Sequence, residues 1–294
     1  MQFYIIGIFF AITAGIANFM GQILQKKAIN DVKIGDEVSM KIVVKKPLWI
    51  TGLLFIIILT TVFGGLAQNF IGPALIPGLF SSGFIVLAIG SVKILNEKLK
   101  KEEWFAMFML ICGIVFVSLS GLSIEPDINR FHDAPFVTRI IVSSLILLLL
   151  WFLFFYGGRK LKKLKAAVMA LGCGMPFSLG NIWMFSMVIS IGQIFNGEIN
   201  SFNMTIFAVS VFILGITQIL GLVHFSKTLA AGNASIVVPI QQIPQQIMPV
   251  IIYFVIFALP SPFPASYFFI SGGVLLIVSA GFFLGKRHSS MENS

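Results

Sequence analysis

Nine long apolar stretches constrain this chain more than any other feature of its sequence. A helix needs about 20 apolar residues to cross the roughly 30 Å of hydrocarbon in a bilayer. The stretches cover residues 3–24, 48–70, 74–95, 104–122, 138–157, 166–189, 204–225, 235–257 and 265–285. The lysine-rich segment 26–46 is too charged to be a tenth, and we expect a loop or a surface-lying helix there. The pattern predicts an all-α, polytopic membrane protein with nine transmembrane helices.

The amino-acid composition is also that of a membrane protein, and it indicates which partners to expect. Only 11% of the residues are charged, whereas a soluble domain usually has about 25%. The formal net charge is +9, but the basic residues lie in short clusters between the apolar stretches. This distribution is typical of a membrane protein, so we expect the lipid bilayer as a partner and no nucleic acid. Cys112 and Cys173 lie inside apolar stretches and predict buried small residues without a disulfide.

The positive residues also predict which way the chain crosses the membrane. With nine spans, all 20 Lys and Arg residues except Arg130 and Arg139 fall on one side. Positive residues mark the cytoplasmic side, so the N-terminus is predicted outside and the C-terminus inside. The first stretch lacks the preceding positive charge of a secretory signal, and we expect it to be retained as a helix. The predicted location is the cell membrane, inner or plasma, with multiple passes.

Two halves of the sequence resemble each other. The third span opens with Pro73-Ala-Leu-Ile-Pro77 and the eighth with Ala234-Ser-Ile-Val-Val-Pro239. The next span in each half has a matched glycine pair, which is Gly113 and Gly121 in the fourth span and Gly273 and Gly281 in the ninth. Because the third and eighth spans run in opposite directions, these units predict an inverted repeat. The predicted domains are residues 1–125 with four spans, residues 126–287 with five spans, and a cytoplasmic tail at 288–294.

These motifs resemble the drug/metabolite transporter superfamily, with EamA-like repeats, and most closely its NIPA-like magnesium-transporter branch. The first-half match runs from Gly72-Pro-Ala-Leu-Ile-Pro77 through Leu95-Asn-Glu-Lys-Leu99 to Gly113, and the second-half match covers residues 227–240. The resemblance implies alternating-access transport of a metabolite or of magnesium. Two departures argue against magnesium. The second span has no acidic residue within 63–69, and residues 259–264 replace the second-half counterpart of the Asn96-Glu97 turn.

The eighth span has the most unusual composition. Its prolines at positions 239, 244 and 249 remove backbone donors and make a long regular helix unexpected there. Four glutamines, Gln241, Gln242, Gln245 and Gln246, share one broad face near the middle of the bilayer. Amides at that depth either line a substrate cavity or hydrogen-bond neighbouring helices. The other residues of the predicted substrate site are Asn18, Gln22, Ser178, Asn181, Trp183 and Gln218.

Acidic residues are absent from the interior of every predicted span. Glu97 lies at a helix end beside Lys98, which indicates a capping or salt-bridge role. Without an intramembrane carboxylate, the usual proton relay has no carrier, and a hard divalent cation lacks its preferred anionic ligands. The sequence identifies neither a metal ligand set nor a cofactor.

The function predicted from these features is alternating-access transport of a small neutral or zwitterionic metabolite. A NIPA-like magnesium or divalent-cation transporter is the first alternative, and a lipid flippase or a scaffold membrane protein is an alternative of another class. The sequence has no Asp pair, His-Glu-x-x-His motif or mid-depth Ser/His arrangement that would predict an enzyme. The expected partners are a small-molecule or ion substrate and the bilayer, and a homodimer is left open.

Overall fold

The computed structural model describes residues 2–32, 40–71, 76–122, 124, 127–158, 161, 164–195 and 197–291 of the 294-residue chain. This part of the chain is all-helical, and nine of its helical spans are long and apolar enough to cross a membrane. We number them spans 1 to 9 in chain order. Their length and composition make the chain a multi-pass membrane protein.

The spans differ in regularity. Six are single helices, with bounds Gln2–Val32 for span 1, Lys101–Leu119 for span 4, Ala134–Gly158 for span 5, Lys165–Phe195 for span 6, Ser201–Ala231 for span 7 and Ser266–Met291 for span 9. Span 2 consists of Pro47–Leu54, a π-helical segment Phe55–Leu59, and Thr60–Ile71. Span 3 consists of Ile76–Phe80 and Gly83–Lys93, and span 8 of Ala234–Ile251 and a π-helical segment Ile252–Ile256. The short helix Met40–Val43 and the 3-10 helix Ile128–His132 lie outside the spans.

Side-chain contacts define two ends of the bundle. At one end, the Glu97 carboxylate accepts hydrogen bonds from the backbone N–H groups of Ala234 and Ser235, at 2.7 Å and 3.0 Å. The connections between spans 3 and 4 and between spans 7 and 8 therefore meet there. We call it the basic end because Lys98 and Lys100 lie in the first of these connections. At the far end, the Ser266 hydroxyl donates to the Ser120 carbonyl oxygen at 2.7 Å, so the connections that follow spans 4 and 8 meet there.

Span 8 is continuous through all three of its prolines, contrary to the irregular segment expected from the sequence. Its α-helix runs Ala234–Ile251 and passes directly into a π-helical segment. The cause is packing, because a larger share of span 8 is buried in the bundle than of any other described span. It packs closely on span 6, where a Cβ added at Gly174 would collide with the Gln241 carbonyl oxygen. Tertiary contacts of this kind stabilise helices whose own propensity is poor.

The interruption occurs in span 3 instead, at Ser81 and Ser82. The Ser81 hydroxyl donates to the Gly78 carbonyl oxygen at 2.6 Å, and the Ser82 hydroxyl donates to the Leu79 carbonyl oxygen at 2.7 Å. Local hydrogen bonds from serine side chains compete with the backbone ladder of a helix. The turn packs on span 1 at Gly15, which has no side chain to obstruct it.

Span 1 continues as a helix into the segment that was predicted to be a loop or a surface-lying helix. Lys27 pairs there with Asp31 one turn later, with 3.2 Å between Nζ and Oδ1. Lys26 is only 6% exposed, and its Nζ donates to the carbonyl oxygens of Leu229 and Gly232 at 2.5 Å and 2.7 Å. Lys26 therefore lies in neither the loop nor the surface-lying helix that was expected, because these carbonyl partners satisfy its ammonium group inside the bundle. Residues 33–39 of that segment lie outside the described part of the chain.

Spans 4 and 9 pack against each other through Gly113 and Gly273. A Cβ added to either glycine would lie 2.8 Å from the carbonyl oxygen of the other. The next contacts are also reciprocal, because Gly113 faces Ile277 and Gly273 faces Val117, each four residues beyond the opposite glycine. Small residues at such positions let membrane helices approach closely.

The second matched glycine pair has no such relationship. Gly121 follows the end of span 4 and has a φ of +72°, a conformation that favours glycine. Gly281 lies inside the helix of span 9, where it packs on Ile243 of span 8. The sequence match between the two pairs therefore corresponds to equivalent packing only at Gly113 and Gly273.

Candidate functional site

A cavity of about 600 Å³ lies among spans 1, 2, 6, 7 and 8. Side-chain amides from four of these spans line it, namely Asn18 and Gln22 of span 1, Asn181 of span 6, Gln218 of span 7, and Gln241, Gln242 and Gln245 of span 8. Each amide group can donate and accept hydrogen bonds. The cavity therefore presents many neutral hydrogen-bonding groups to whatever enters it. We call it the central cavity.

The central cavity brings together seven of the ten predicted site residues, and the other three lie elsewhere. Gln246 lies about 100° further round the helix than Gln245, and it lines a smaller cavity of about 210 Å³ beside spans 3 and 4. Ser178 is fully buried, with its hydroxyl donating to the Gly174 carbonyl oxygen. The Trp183 indole N–H donates to the Ser144 hydroxyl of span 5 at 3.2 Å. Substrate binding by the seven stays a prediction.

Residues that the sequence analysis did not select complete the wall. Thr60 and Thr61 of span 2 add hydroxyl groups at the end of the π-helical segment. The Thr60 hydroxyl donates to the Phe55 carbonyl oxygen at 3.1 Å, five residues earlier. A pair of threonines inside an apolar span is the signal that could have identified them. The apolar part of the wall consists of Ile56, Ile57, Phe177, Met184, Met187, Leu214, Leu222 and Phe225.

The amides on span 1 are partly paired with each other. Gln22 Nε2 donates to Asn18 Oδ1 at 2.6 Å, one helical turn away. Gln22 Oε1 is buried and accepts no hydrogen bond from the described residues. An unsatisfied buried acceptor costs roughly 1–3 kcal/mol.

Charge is absent from the described lining of the central cavity. The described residues also contain no group of three or more His, Cys, Asp and Glu that could hold a metal ion. Glu97 and Glu103 are buried, but Glu97 caps a helix at the basic end and Glu103 lies in the first turn of span 4. The described part of this lining is therefore polar but neutral.

His224 of span 7 does not line the central cavity. Its Nδ1 accepts a hydrogen bond from the Trp151 indole N–H at 3.0 Å, and its ring stacks on Phe155 with 4.0 Å between centroids. A ring nitrogen that accepts a hydrogen bond carries no proton itself. We interpret His224 as part of an aromatic contact between spans 5 and 7.

A second polar cavity, of about 490 Å³, lies at the basic end. Its lining consists of Lys26, Asn30, Leu95, Asn96, Glu97, Lys98 and residues 230–233. A capping role was one of the two roles predicted for Glu97. The structure shows that Glu97 caps span 8, which begins 137 residues later in the sequence. The negative charge of Glu97 at the N-terminus of span 8 and the positive charge of Lys26 at the C-terminus of span 7 both complement the helix dipoles. We call this cavity the basic-end cavity.

The predicted resemblance to the drug/metabolite transporter superfamily rests on the sequence motifs alone. Comparison of the chain with protein-family models, with curated proteins and with solved structures gave no match.

Proposed function

We propose that this protein is a secondary transporter that moves a small neutral or zwitterionic solute across the cell membrane by alternating access. The observation that carries the proposal is the central cavity, in which amides from four membrane spans converge. Burial of a polar group without a hydrogen-bond partner is costly. A cavity that gathers several such groups from separate helices therefore favours a polar ligand over lipid.

The lining also suggests the shape of the solute. A volume of about 600 Å³ lies in the range of roughly 300–1,000 Å³ that is common for small-molecule sites. Amides and two threonines provide hydrogen bonds, while phenylalanine, methionine and branched aliphatic side chains form the rest of the wall. A solute with a polar edge and an apolar body would match both parts.

The contact between Gly113 and Gly273 supports an inverted repeat of the kind found in secondary transporters. Spans 4 and 9 run in opposite directions, since the end of span 4 meets the start of span 9 at the far end. The Cβ position of each glycine lies at the same distance, 2.8 Å, from the carbonyl oxygen of the other. A local two-fold axis between antiparallel helices would produce this equality. An axis in the membrane plane relates the halves of many such transporters. In this proposal the halves are residues 1–125 and 126–287.

The proposed orientation places the basic end in the cytoplasm, following the distribution of lysine and arginine. The two arginines at the far end have a structural role that accounts for their position. Arg130 Nη1 donates to the Phe257 carbonyl oxygen and Arg139 Nη1 donates to the Ile256 carbonyl oxygen, each at 3.2 Å. These carbonyls lie at the C-terminal end of span 8, where a positive charge complements the helix dipole.

A thermal-shift screen of the purified protein tests the proposal. Neutral metabolites, zwitterionic metabolites and divalent cations are compared, because a ligand at 100 times its Kd stabilises a protein by about 2.7 kcal/mol. We expect stabilisation by a solute of the first two classes. Gln241→Leu and Gln245→Leu should abolish that stabilisation, whereas Gln246→Leu, which lies outside the central cavity, should retain it. Stabilisation by divalent cations alone would replace the proposal with the cation transport that the NIPA-like resemblance implies.

A further inference from the structure

The basic end contains hydrogen bonds between the two halves that solute binding does not explain. Lys26 and Glu97 belong to the first half, and both bind the turn between spans 7 and 8 in the second half. Lys26 binds the carbonyl group of Leu229 in the last turn of span 7 and that of Gly232, which follows the span. Glu97 holds the first backbone N–H groups of span 8. Two opposite charges thus fix the same turn from its two sides.

Span 1 has a polar face that connects the two cavities. Asn18, Gln22, Lys26 and Asn30 follow each other at intervals of four residues, a spacing that places side chains on one helix face. Asn18 and Gln22 line the central cavity, and Lys26 and Asn30 line the basic-end cavity. A continuous polar strip therefore runs from the central cavity to the basic end.

The strip is closed between the cavities. Gln22 and Lys26 are 5% and 6% exposed. On the facing span 7, Phe225 lines the central cavity, and Leu229 one turn later is fully buried. The carbonyl group of Leu229 is one of the two that Lys26 binds. The closed segment and the charged contacts therefore coincide.

The two ends of span 8 are held in different ways. At the far end its carbonyl groups are bound by Arg130 and Arg139, which belong to the same half as span 8. At the basic end it is bound by Glu97, which belongs to the other half. A rocking motion of one half against the other would leave the arginine contacts intact. It would have to break the contacts of Glu97 and Lys26.

We propose that Lys26 and Glu97 form the inner gate of the transport route, and that the basic-end cavity is the vestibule of that gate. The proposal rests on the transport function proposed above. When the turn between spans 7 and 8 moves away from these two side chains, the polar face of span 1 becomes a continuous path. The loss of one charge-assisted hydrogen bond should shift the balance between closed and open forms by about tenfold.

Thiol accessibility tests the gate without any substrate. Cys112→Ala and Cys173→Ala remove the cysteines of the chain, and Gln22→Cys then reports on the central cavity. A membrane-impermeant thiol reagent is added to the basic-end side of sealed vesicles. We expect slow modification in this background and about tenfold faster modification after Glu97→Gln or Lys26→Gln. Lys98→Gln, an exposed neighbour in the same cavity, should leave the rate unchanged.

Three further variants keep the test decisive. Asn30→Cys, in the vestibule, should react rapidly in every background. Ser178→Cys, fully buried and outside both cavities, should stay slow and so exclude general loosening. Glu97→Asp keeps the charge on a shorter side chain and should give an intermediate rate of modification. It replaces Glu97→Gln in the test if Glu97→Gln yields no folded protein.

Two results would overturn the gate. One is an unchanged rate at Gln22→Cys in folded Glu97→Gln or Glu97→Asp protein. The other is a rate increase at Ser178→Cys as large as that at Gln22→Cys. Either result leaves the thermal-shift test of solute binding untouched, so failure of the gate and failure of the proposed function are distinguishable.

Discussion

Gly113 of span 4 and Gly273 of span 9 pack backbone to backbone, with the Cβ position of each 2.8 Å from the carbonyl oxygen of the other. A real Cβ cannot occupy that space without displacing one of the two helices. The contact joins the two proposed halves of the chain. It is also the position at which the sequence match between the halves and the packing between them coincide.

Alanine at either glycine should therefore separate spans 4 and 9. Overpacking of this kind typically costs about 1–3 kcal/mol, so we expect Gly113→Ala and Gly273→Ala to lower the melting temperature and the folded yield. Gly215→Ala in span 7 is the matched control, because its Cβ would meet open space. Equal melting temperatures for Gly113→Ala and Gly215→Ala would contradict the close contact.

The arginines at the far end should stabilise the protein without taking part in transport. Each half-buried guanidinium makes one charge-assisted hydrogen bond to the end of span 8. We expect Arg130→Gln and Arg139→Gln each to cost about 1–2 kcal/mol of stability, measured as a lower melting temperature. Lys165→Gln removes an exposed charge at the basic end and should have little effect. If all three variants melt alike, the arginines do not hold span 8.

The orientation can be checked with cysteines in exposed connections. Lys98 lies at the basic end, and Glu198 lies in the connection between spans 6 and 7. In the cysteine-free background, an impermeant thiol reagent added to intact cells should modify Glu198→Cys and leave Lys98→Cys unmodified. The reverse pattern would mean that the basic end faces outward, against the charge distribution.

Transport should not be coupled to protons through a buried carboxylate in the membrane. None of the described residues that line the central cavity is acidic, and His224 is engaged with Trp151. With a pH-sensitive dye inside reconstituted vesicles, we expect solute uptake without a matching acidification. Strictly coupled proton influx would contradict this prediction.

The number of spans and the amide lining could be predicted because both depend on the free-energy cost of placing polar groups in lipid. A bilayer imposes the length of an apolar helix, and amides such as Gln241 and Asn181 need hydrogen-bond partners away from lipid. The described residues confirm nine candidate spans. They also place Gln241 and Asn181 in one cavity.

Features that depend on contacts between spans could not be predicted in this way. The three prolines made span 8 look irregular, but close packing on Gly174 keeps it helical. Lys26 was expected in a loop or a surface-lying helix, because its carbonyl partners at the end of span 7 and just beyond it lie more than 200 residues away in sequence. The π-helical segment beside Thr60 has no local sequence signal. The helix of span 8 and the burial of Lys26 are both decided by contacts with neighbouring spans.

Solute flux is the measurement that tests the central claim most directly. Vesicles that contain the purified protein are loaded with the stabilising solute found in the thermal-shift screen, and its release down a gradient is followed. We predict rapid release with the unmodified chain and with Gln246→Leu, and release close to that of protein-free vesicles with Gln245→Leu at the same folded yield. Release by the unmodified chain no faster than from protein-free vesicles, or equal release by the Gln245→Leu and Gln246→Leu variants, would contradict the assignment of the central cavity as the transport site.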